Sequence, residues 1–399
     1  MKYLRLTEGK SIWVSLLPIF IAMYLLFSMV SISLSQIFLS LSFIFWLIML
    51  IKEKQKFSFP FFFWPLITYI VLSLISSCFS VNPKLSLKDS KELVLFIIVP
   101  LVYTGFHNEK VLKKANLALL VSAGASFFYS LFQLLSFKLS WPMERTTGFM
   151  NNAMTLGGLL ILFCCMSFSM FLFSKDKLKY LWGTGFFLSL FTLILAQTRS
   201  AWIGIIIASS FILLLYKPKL LIIVPVALAL LYLVSPQIIK NRAISVFSLK
   251  DKSNQNRLEF LKAGIKIIKD YPLFGTGPDT VDIIFQNPKY GLSESAKKNV
   301  HLHNTILQTA AERGIPTLVA WLVFMVLVFI SLLKLLKNKD PTLYLFSVAA
   351  LAALIGLFTA GLFEYNFADS EITALFLYII TIPFTLARIK DRETSVEAK

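Results

Sequence analysis

The chain has 399 residues, 57% hydrophobic and 15% charged, with 38 Phe, a mean hydropathy of +0.75 and a net charge of +18. A soluble domain carries roughly 25% charged residues, so a soluble globular enzyme, a disordered chain and a disulfide-rich secreted module are excluded. The fold class left is an all-α polytopic membrane protein, with room for about a dozen helices of about 20 apolar residues each.

The N-terminal MKYLRLTEGK is basic, precedes a long apolar run and has no A-x-A cleavage site. It reads as the lead-in to an uncleaved first helix. Residues 11–51 are 41 nearly charge-free residues between Lys10 and Lys52, enough for two helices turning near Ser31–Gln36. Further spans are predicted at 60–80, 92–106, 115–137, 153–174, 181–197, 200–216, 219–234, 316–333, 343–362 and 371–387. The expected plan is GT-C-like, with twelve spans and both termini cytoplasmic. Residues 1–234 hold helices one to nine, and 235–315 form one large periplasmic loop. Residues 316–389 hold the last three helices, and 390–399 form a cytoplasmic tail.

Loop charges test this plan. Each short inner loop carries at least two basic residues, such as Lys175, Lys177 and Lys179, and the short outer loops carry fewer. Residues 235–313 break the pattern with 12 Lys+Arg against 7 Asp+Glu. Long loops translocate regardless of charge. A polyanionic ligand and a surface facing anionic headgroups both remain open as reasons for the excess. No basic stripe interleaves with aromatics on a soluble domain, so no nucleic-acid partner is expected. Cys78, Cys164 and Cys165 lie in apolar runs and read as small core residues. The span middles carry almost no charge and no internal repeat is visible, which disfavours a transporter or lipid flippase.

Chemistry is therefore expected at the outer face. Arg145 lies in Trp141–Asn152, a short loop rich in polar donors. Its guanidinium could grip a phosphate in bidentate fashion, pair with Glu144 or touch a headgroup. Arg199, beside Trp202 at the tip of an apolar hairpin, is either an interfacial anchor or an anion contact. Arg257 opens an amphipathic helix with Leu258, Leu261, Ile265 and Ile268 on one face, Asn254 as N-cap and Pro272 as its end. That helix would lie along the membrane–water interface, with Arg257 in its first turn beside free backbone N–H groups. Gly275–Asp279 reads as a structural turn and lacks the context of a nucleotide loop. His301 and His303 are two of only three histidines. Asn304–Arg313 reads as a short helix stopped by Gly314. His303 at its N-terminus feels a dipole that disfavours imidazolium, and a neutral histidine there suits a general base. A plain capping role stays open. A metal pair is disfavoured, because no third and fourth ligand is suitably spaced.

His303-Asn304, nine residues, Gly314 and Thr317 resemble the H-N-x9-G-x-x-T signature of bacterial O-antigen ligases. Arg257 with the following Asp270–Pro278 stretch is similar to what precedes that signature in the superfamily. The resemblance extends to the layout of about twelve spans with one large late loop. It implies a glycosyltransferase of lipopolysaccharide biosynthesis in the bacterial inner membrane, with its site facing the periplasm. The donor would be a glycan on undecaprenyl diphosphate and the acceptor the lipid A–core. Transfer would be inverting and metal-independent. His303 maps to the catalytic base, Arg257 to a diphosphate contact and Arg145 to a second one. Arg199 is grouped with them as an anion contact, and His301 and Asn304 as supporting residues without a mapped role. The diphosphate linkage already holds the energy, so no cofactor is expected. A polysaccharide polymerase of the same superfamily is the alternative, since it differs in the acceptor. A protein O-oligosaccharyltransferase is less expected, because those usually extend past the last span.

Overall fold

A computed structural model describes residues 12–54, 56–136, 145–248 and 250–397. The N-terminal decapeptide, Lys138, Trp141–Glu144 and Lys399, to which the sequence reading gave sidedness or an ion pair, lie outside the described residues. Among the described residues every regular element is helical. The chain runs through α1 (Ile12–Phe27), α2 (Ile32–Lys52), α3 (Phe63–Cys78), α4 (Pro83–Asp89), a 3₁₀ segment Ser90–Ile97, α5 (Ile98–Gly105) and α6 (Glu109–Ser136). Then come α7 (Ala153–Phe173), α8 (Lys179–Ala196), α9 (Arg199–Tyr216), α10 (Ile223–Val234), α11 (Gln237–Ile244), α12 (Lys252–Asp270) and α13 (Val281–Phe285). The chain closes with α14 (Thr305–Leu335), α15 (Pro341–Gly361) and α16 (Ser370–Glu397).

Eight of these helices are long and apolar enough to cross a bilayer, with three shorter apolar ones beside them: Val14–Phe27, Phe63–Cys78 and Pro218–Val234. The expected span 92–106 is a 3₁₀ stretch that passes into the short α5. A count of twelve crossings therefore exceeds the eight full-length ones. The first hairpin turns at residues 28–31, slightly before the expected Ser31–Gln36.

The centre of the bundle is α7, α15 and α16, whose apolar residues are nearly all buried. Small residues let these helices approach. Gly204 of α9 packs so closely on Gly356 of α15 that a Cβ would meet its carbonyl oxygen. At the other extreme, α10 buries none of its twelve residues. An apolar helix with no protein cover needs lipid around it.

Hydrogen bonds and ion pairs identify the two ends. At one end Lys390 pairs with Asp340 and Glu109, and Lys113 donates to Thr342. At the other, Thr155 donates to Asp369, Arg145 to Thr198 and Ser76 to the carbonyls of Phe274 and Glu312. The second end holds the large loop, which has a core of its own. There Phe260, Ala263 and Ile267 of α12 pack on Val281, Phe285, Leu302, Leu307 and Ala311.

Candidate functional site

His303 sits where two chain segments are locked together. Asn304 caps α14: its Oδ1 accepts from Leu307 N at 2.9 Å, and its Nδ2 donates to the Leu362 carbonyl at 2.9 Å. Thr305 Oγ1 donates to the Glu364 carbonyl at 3.0 Å. These bonds hold the 362–368 loop against the start of α14 and deliver Glu364 to His303. The Glu364 Oε1 lies 2.9 Å from His303 Nδ1 and also accepts from Tyr365 N at 3.2 Å. Glu364 Oε2 is buried without a partner. Burial alone would raise the Glu364 carboxyl, but the hydrogen bond and charge of His303, the Tyr365 N–H and nearby Arg257 hold it below the ordinary carboxylate range. His303 Nε2 lies 3.3 Å from Asn299 Oδ1, a long contact, and the ring leans on Phe260. The His303 backbone has φ of 49°, sparsely populated for a non-glycine residue. Such strain is commonly retained at functional positions.

The rest of the H-N-x9-G-x-x-T pattern is structural. Gly314 (φ 82°) breaks α14 into the short helix expected from the sequence and a long span. A Cβ there would collide with the Leu273 backbone. Thr317 Oγ1 donates to the Arg313 carbonyl at 2.7 Å, satisfying a group freed by the break. The Gly275–Asp279 turn docks on the same place: Thr276 N and Gly277 N donate to the carbonyls of Ala311 and Glu312 at 2.9 and 2.8 Å.

Two arginines, Arg257 and Arg145, lie within electrostatic reach of Glu364, and Arg199 and Arg242 lie within reach of those two. Arg257 is half-buried, and its Nε is buried without a partner. Arg145 donates from Nε to the Ala196 carbonyl at 3.0 Å and from Nη2 to Thr198 Oγ1 at 2.9 Å. Arg199 donates to the Ser245 carbonyl, to Ser245 Oγ and to Asp251 Oδ1. The fourth, Arg242, escaped the sequence reading because it looked like ordinary loop charge. It donates to the Gln197 carbonyl at 3.3 Å. Burial, together with Arg199 and Arg145, lowers its guanidinium to about 10, so it stays charged at neutral pH. Burial also lowers Arg145 and Arg257, Arg199 lowers both further, and the carboxylate of Glu364 opposes the shift in each. Among the described residues, Asp251 offsets Arg199, Arg242 and Arg257, and Glu364 offsets Arg145 and Arg257. Partly buried positive charge with an unfilled donor suits an anion.

The structure corrects two readings. Arg199 is only 4% exposed and paired with Asp251 at 3.1 Å, so it is a buried tie between α9 and the loop and no interfacial anchor. Helix α12 starts at Lys252, capped by Asp251 and not by Asn254, whose amide instead donates to loop carbonyls. Arg257 therefore lies in its second turn, and the first free N–H is taken by Asp251. Of the apolar face read from the sequence, Leu258, Leu261 and Ile265 are exposed, whereas Ile268 packs against the loop core. The loop core is built on the other side, Phe260, Ala263 and Ile267. His301 stands apart from His303, edge-on to Tyr365, with Nδ1 buried and unpartnered. Glu364 was also missed, although it is the single charged residue between Asp340 and Asp369. Among the described residues no group of three or more His, Cys, Asp or Glu side chains is placed to hold a metal ion.

An apolar groove of about 460 Å³ runs between α7, α8, α9 and α10 and ends at Ile239, Lys240 and Ala243 of α11. Its outer mouth thus lies on the helix that carries Arg242.

The fold and this site define a polytopic helical membrane protein with a cluster of arginines near a histidine–carboxylate pair at one end of the bundle. Residues 184–322 match the family model described as O-antigen ligase, which supports membership of the O-antigen ligase superfamily. A Haemophilus influenzae protein described as uncharacterized is 25% identical over 293 residues, covering 68% of this chain and 71% of that protein.

Proposed function

We propose that the protein is a ligase that transfers a glycan from undecaprenyl diphosphate to the lipid A–core of lipopolysaccharide, at the periplasmic face of the inner membrane. The observation that carries the reading is the His303–Glu364 pair set against the arginine cluster. With Nδ1 donating to Glu364, Nε2 holds the lone pair, so its 3.3 Å approach to Asn299 Oδ1 is no hydrogen bond in this tautomer, and Nε2 is free to accept the proton of the acceptor hydroxyl. The freed oxygen attacks the anomeric carbon from the face opposite the diphosphate. The carbon–oxygen bond to the diphosphate breaks, its electron pair leaves on the phosphate oxygen, and the configuration inverts. Arg257, with its unfilled Nε, and Arg145 stabilise the departing charge. Arg199 and Arg242 hold the cluster together and add to its field. Glu364, kept ionised, orients the ring and balances the imidazolium that forms. The groove below α11 takes the polyprenyl chain, and the exposed Leu258–Leu261–Ile265 face of α12 rests on the bilayer surface.

The test is complementation of a bacterial strain lacking its ligase, scored by the lipopolysaccharide ladder on a gel. Restored ladders with the wild-type chain and none with His303→Ala are expected. No ladder with a well-expressed wild-type chain contradicts the ligase assignment.

A further inference from the structure

A second cavity, of about 180 Å³, opens at the same end of the bundle, between the 3₁₀ segment after α4, the tip of the large loop and the loop before α16. Its wall is shared with the site above: His301 and Tyr365 line it, two residues from His303 and next to Glu364. The electrostatics are the reverse of the arginine cluster. Asp89, Glu92, Asp279, Glu312 and Asp369 face it, with Arg313 as the one cation. Arg313 is 8% exposed, and its Nη2 lies 3.4 Å from Asp89 Oδ2. Its guanidinium lies 5.8 Å from the centre of the Tyr69 ring, and its Nε and Nη1 are buried with no hydrogen-bond partner. Two unfilled donors on a buried guanidinium at a cavity wall mark a place where a ligand's oxygen atoms belong. Tyr69, Phe96 and Phe367 supply apolar ring faces on the same wall.

Carboxylates that accept from hydroxyls, a guanidinium that donates to ring or hydroxyl oxygens, and aromatic faces for C–H surfaces are together the chemistry of a sugar ring, and the volume suits about one pyranose. We propose that this cavity is the acceptor subsite and that it takes a neutral or amine-bearing sugar while rejecting a phosphorylated or carboxylated one. The inference rests on the ligase reading for its role, though the binding preference stands on the cavity alone. Burial raises the carboxyls of Glu92, Asp279, Glu312 and Asp369, so the cavity carries fewer than five negative charges, but its sign still opposes that of the arginine cluster, which directs the diphosphate to the arginines and the acceptor hydroxyl to the other side of His303. Charge separates donor from acceptor across a single catalytic histidine.

The test is saturation-transfer-difference NMR of the full-length protein in nanodiscs, with three probes: methyl β-glucoside, methyl β-glucosaminide and glucose 6-phosphate. Signal is expected for the first two and none for the third. Arg313→Gln should weaken the glucoside signal about tenfold or more, the loss of charge-assisted bonds. The Glu92→Gln/Asp279→Asn double variant, which keeps volume and the left-handed backbone at Asp279, should narrow the gap between glucosaminide and glucose 6-phosphate. Arg257→Gln should leave all three signals unchanged while abolishing binding of polyprenyl diphosphate, so failure of the donor site and of this one are read separately. Strongest signal from glucose 6-phosphate, signals insensitive to both cavity variants, or no sugar signal from a folded protein would overturn the proposal.

Discussion

Arginine chemistry separates the residues that face a ligand from those that face the protein. Arg257 has an unfilled buried donor, so its guanidinium shape should matter as well as its charge. Arg257→Lys, a point charge without the fork, is expected to lower turnover by roughly 10²–10³-fold in a reconstituted transfer assay, the range of a lost oxyanion donor. Near-normal transfer by Arg257→Lys would reject the diphosphate role. Arg199 is different: its pair with Asp251 is buried on the arginine side. Arg199→Ala should cost about 1–3 kcal/mol of stability in chemical unfolding, since Ser245 loses its charged donor while Asp251, partly exposed, keeps the Asn254 N–H. At Glu364 the pH sign follows from its lowered carboxyl. Its contribution is fully present above the ordinary value of 4.5 and is lost only as pH falls through the lowered one. Any fall in wild-type activity between neutrality and about pH 5 therefore does not come from Glu364. Glu364→Gln should lower turnover across that whole range, by roughly 10²–10⁴-fold. A variant that only shifts the acid limb would contradict the orienting role.

At the scale of elements, the break in α14 is the hinge of the site. It puts a short capped helix beside the loop of Glu364 and sends the rest of the chain into the bundle. Gly314→Ala forces a side chain into a left-handed backbone facing the Leu273 peptide. A loss of at least about 2 kcal/mol is expected in detergent unfolding. Asn304→Ala removes a cap and the Leu362 tie, with an expected loss of about 1 kcal/mol. This break was legible in the sequence, because Asn, Gly and Pro316 punctuate a 3.6-residue pattern. The face of α12 was not. Phe260, Ala263 and Ile267 have the same spacing as Leu258, Leu261 and Ile265, and periodicity cannot say which of two apolar stripes meets the loop core and which is left bare. The partners of His303 and Arg199 were invisible for a related reason. Glu364 is 61 residues from His303, and Asp251 is 52 from Arg199. Nothing local in a sequence pairs charges across such distances, though a lone carboxylate in an apolar stretch was a usable signal.

For the whole molecule, composition and charge alternation carried the class and most helix positions, because the bilayer imposes one period and one length on every crossing. The broken stretch at 90–105 escaped that rule, since its second half, α5, is too short to cross and is buried in protein. The arginine-rich end is proposed to face the periplasm, on the strength of the lysine bias and of the proposed chemistry. Cys164 and Cys165 are buried as the sequence suggests, but Cys78, read there as a core residue, is exposed at the end of α3, so labelling needs a Cys78→Ser background. In that background Lys289→Cys should react with an impermeant thiol reagent in intact spheroplasts. Reaction only after lysis would invert the topology and remove the donor from the site.

The most direct measurement is transfer by purified His303→Ala, reconstituted with undecaprenyl-diphosphate-linked glycan and rough lipopolysaccharide, alongside binding of the same donor. A loss of ~10²–10⁴-fold in turnover is expected, with donor binding retained because the arginines are untouched. Transfer at the wild-type rate by a folded His303→Ala protein would contradict the histidine–carboxylate account.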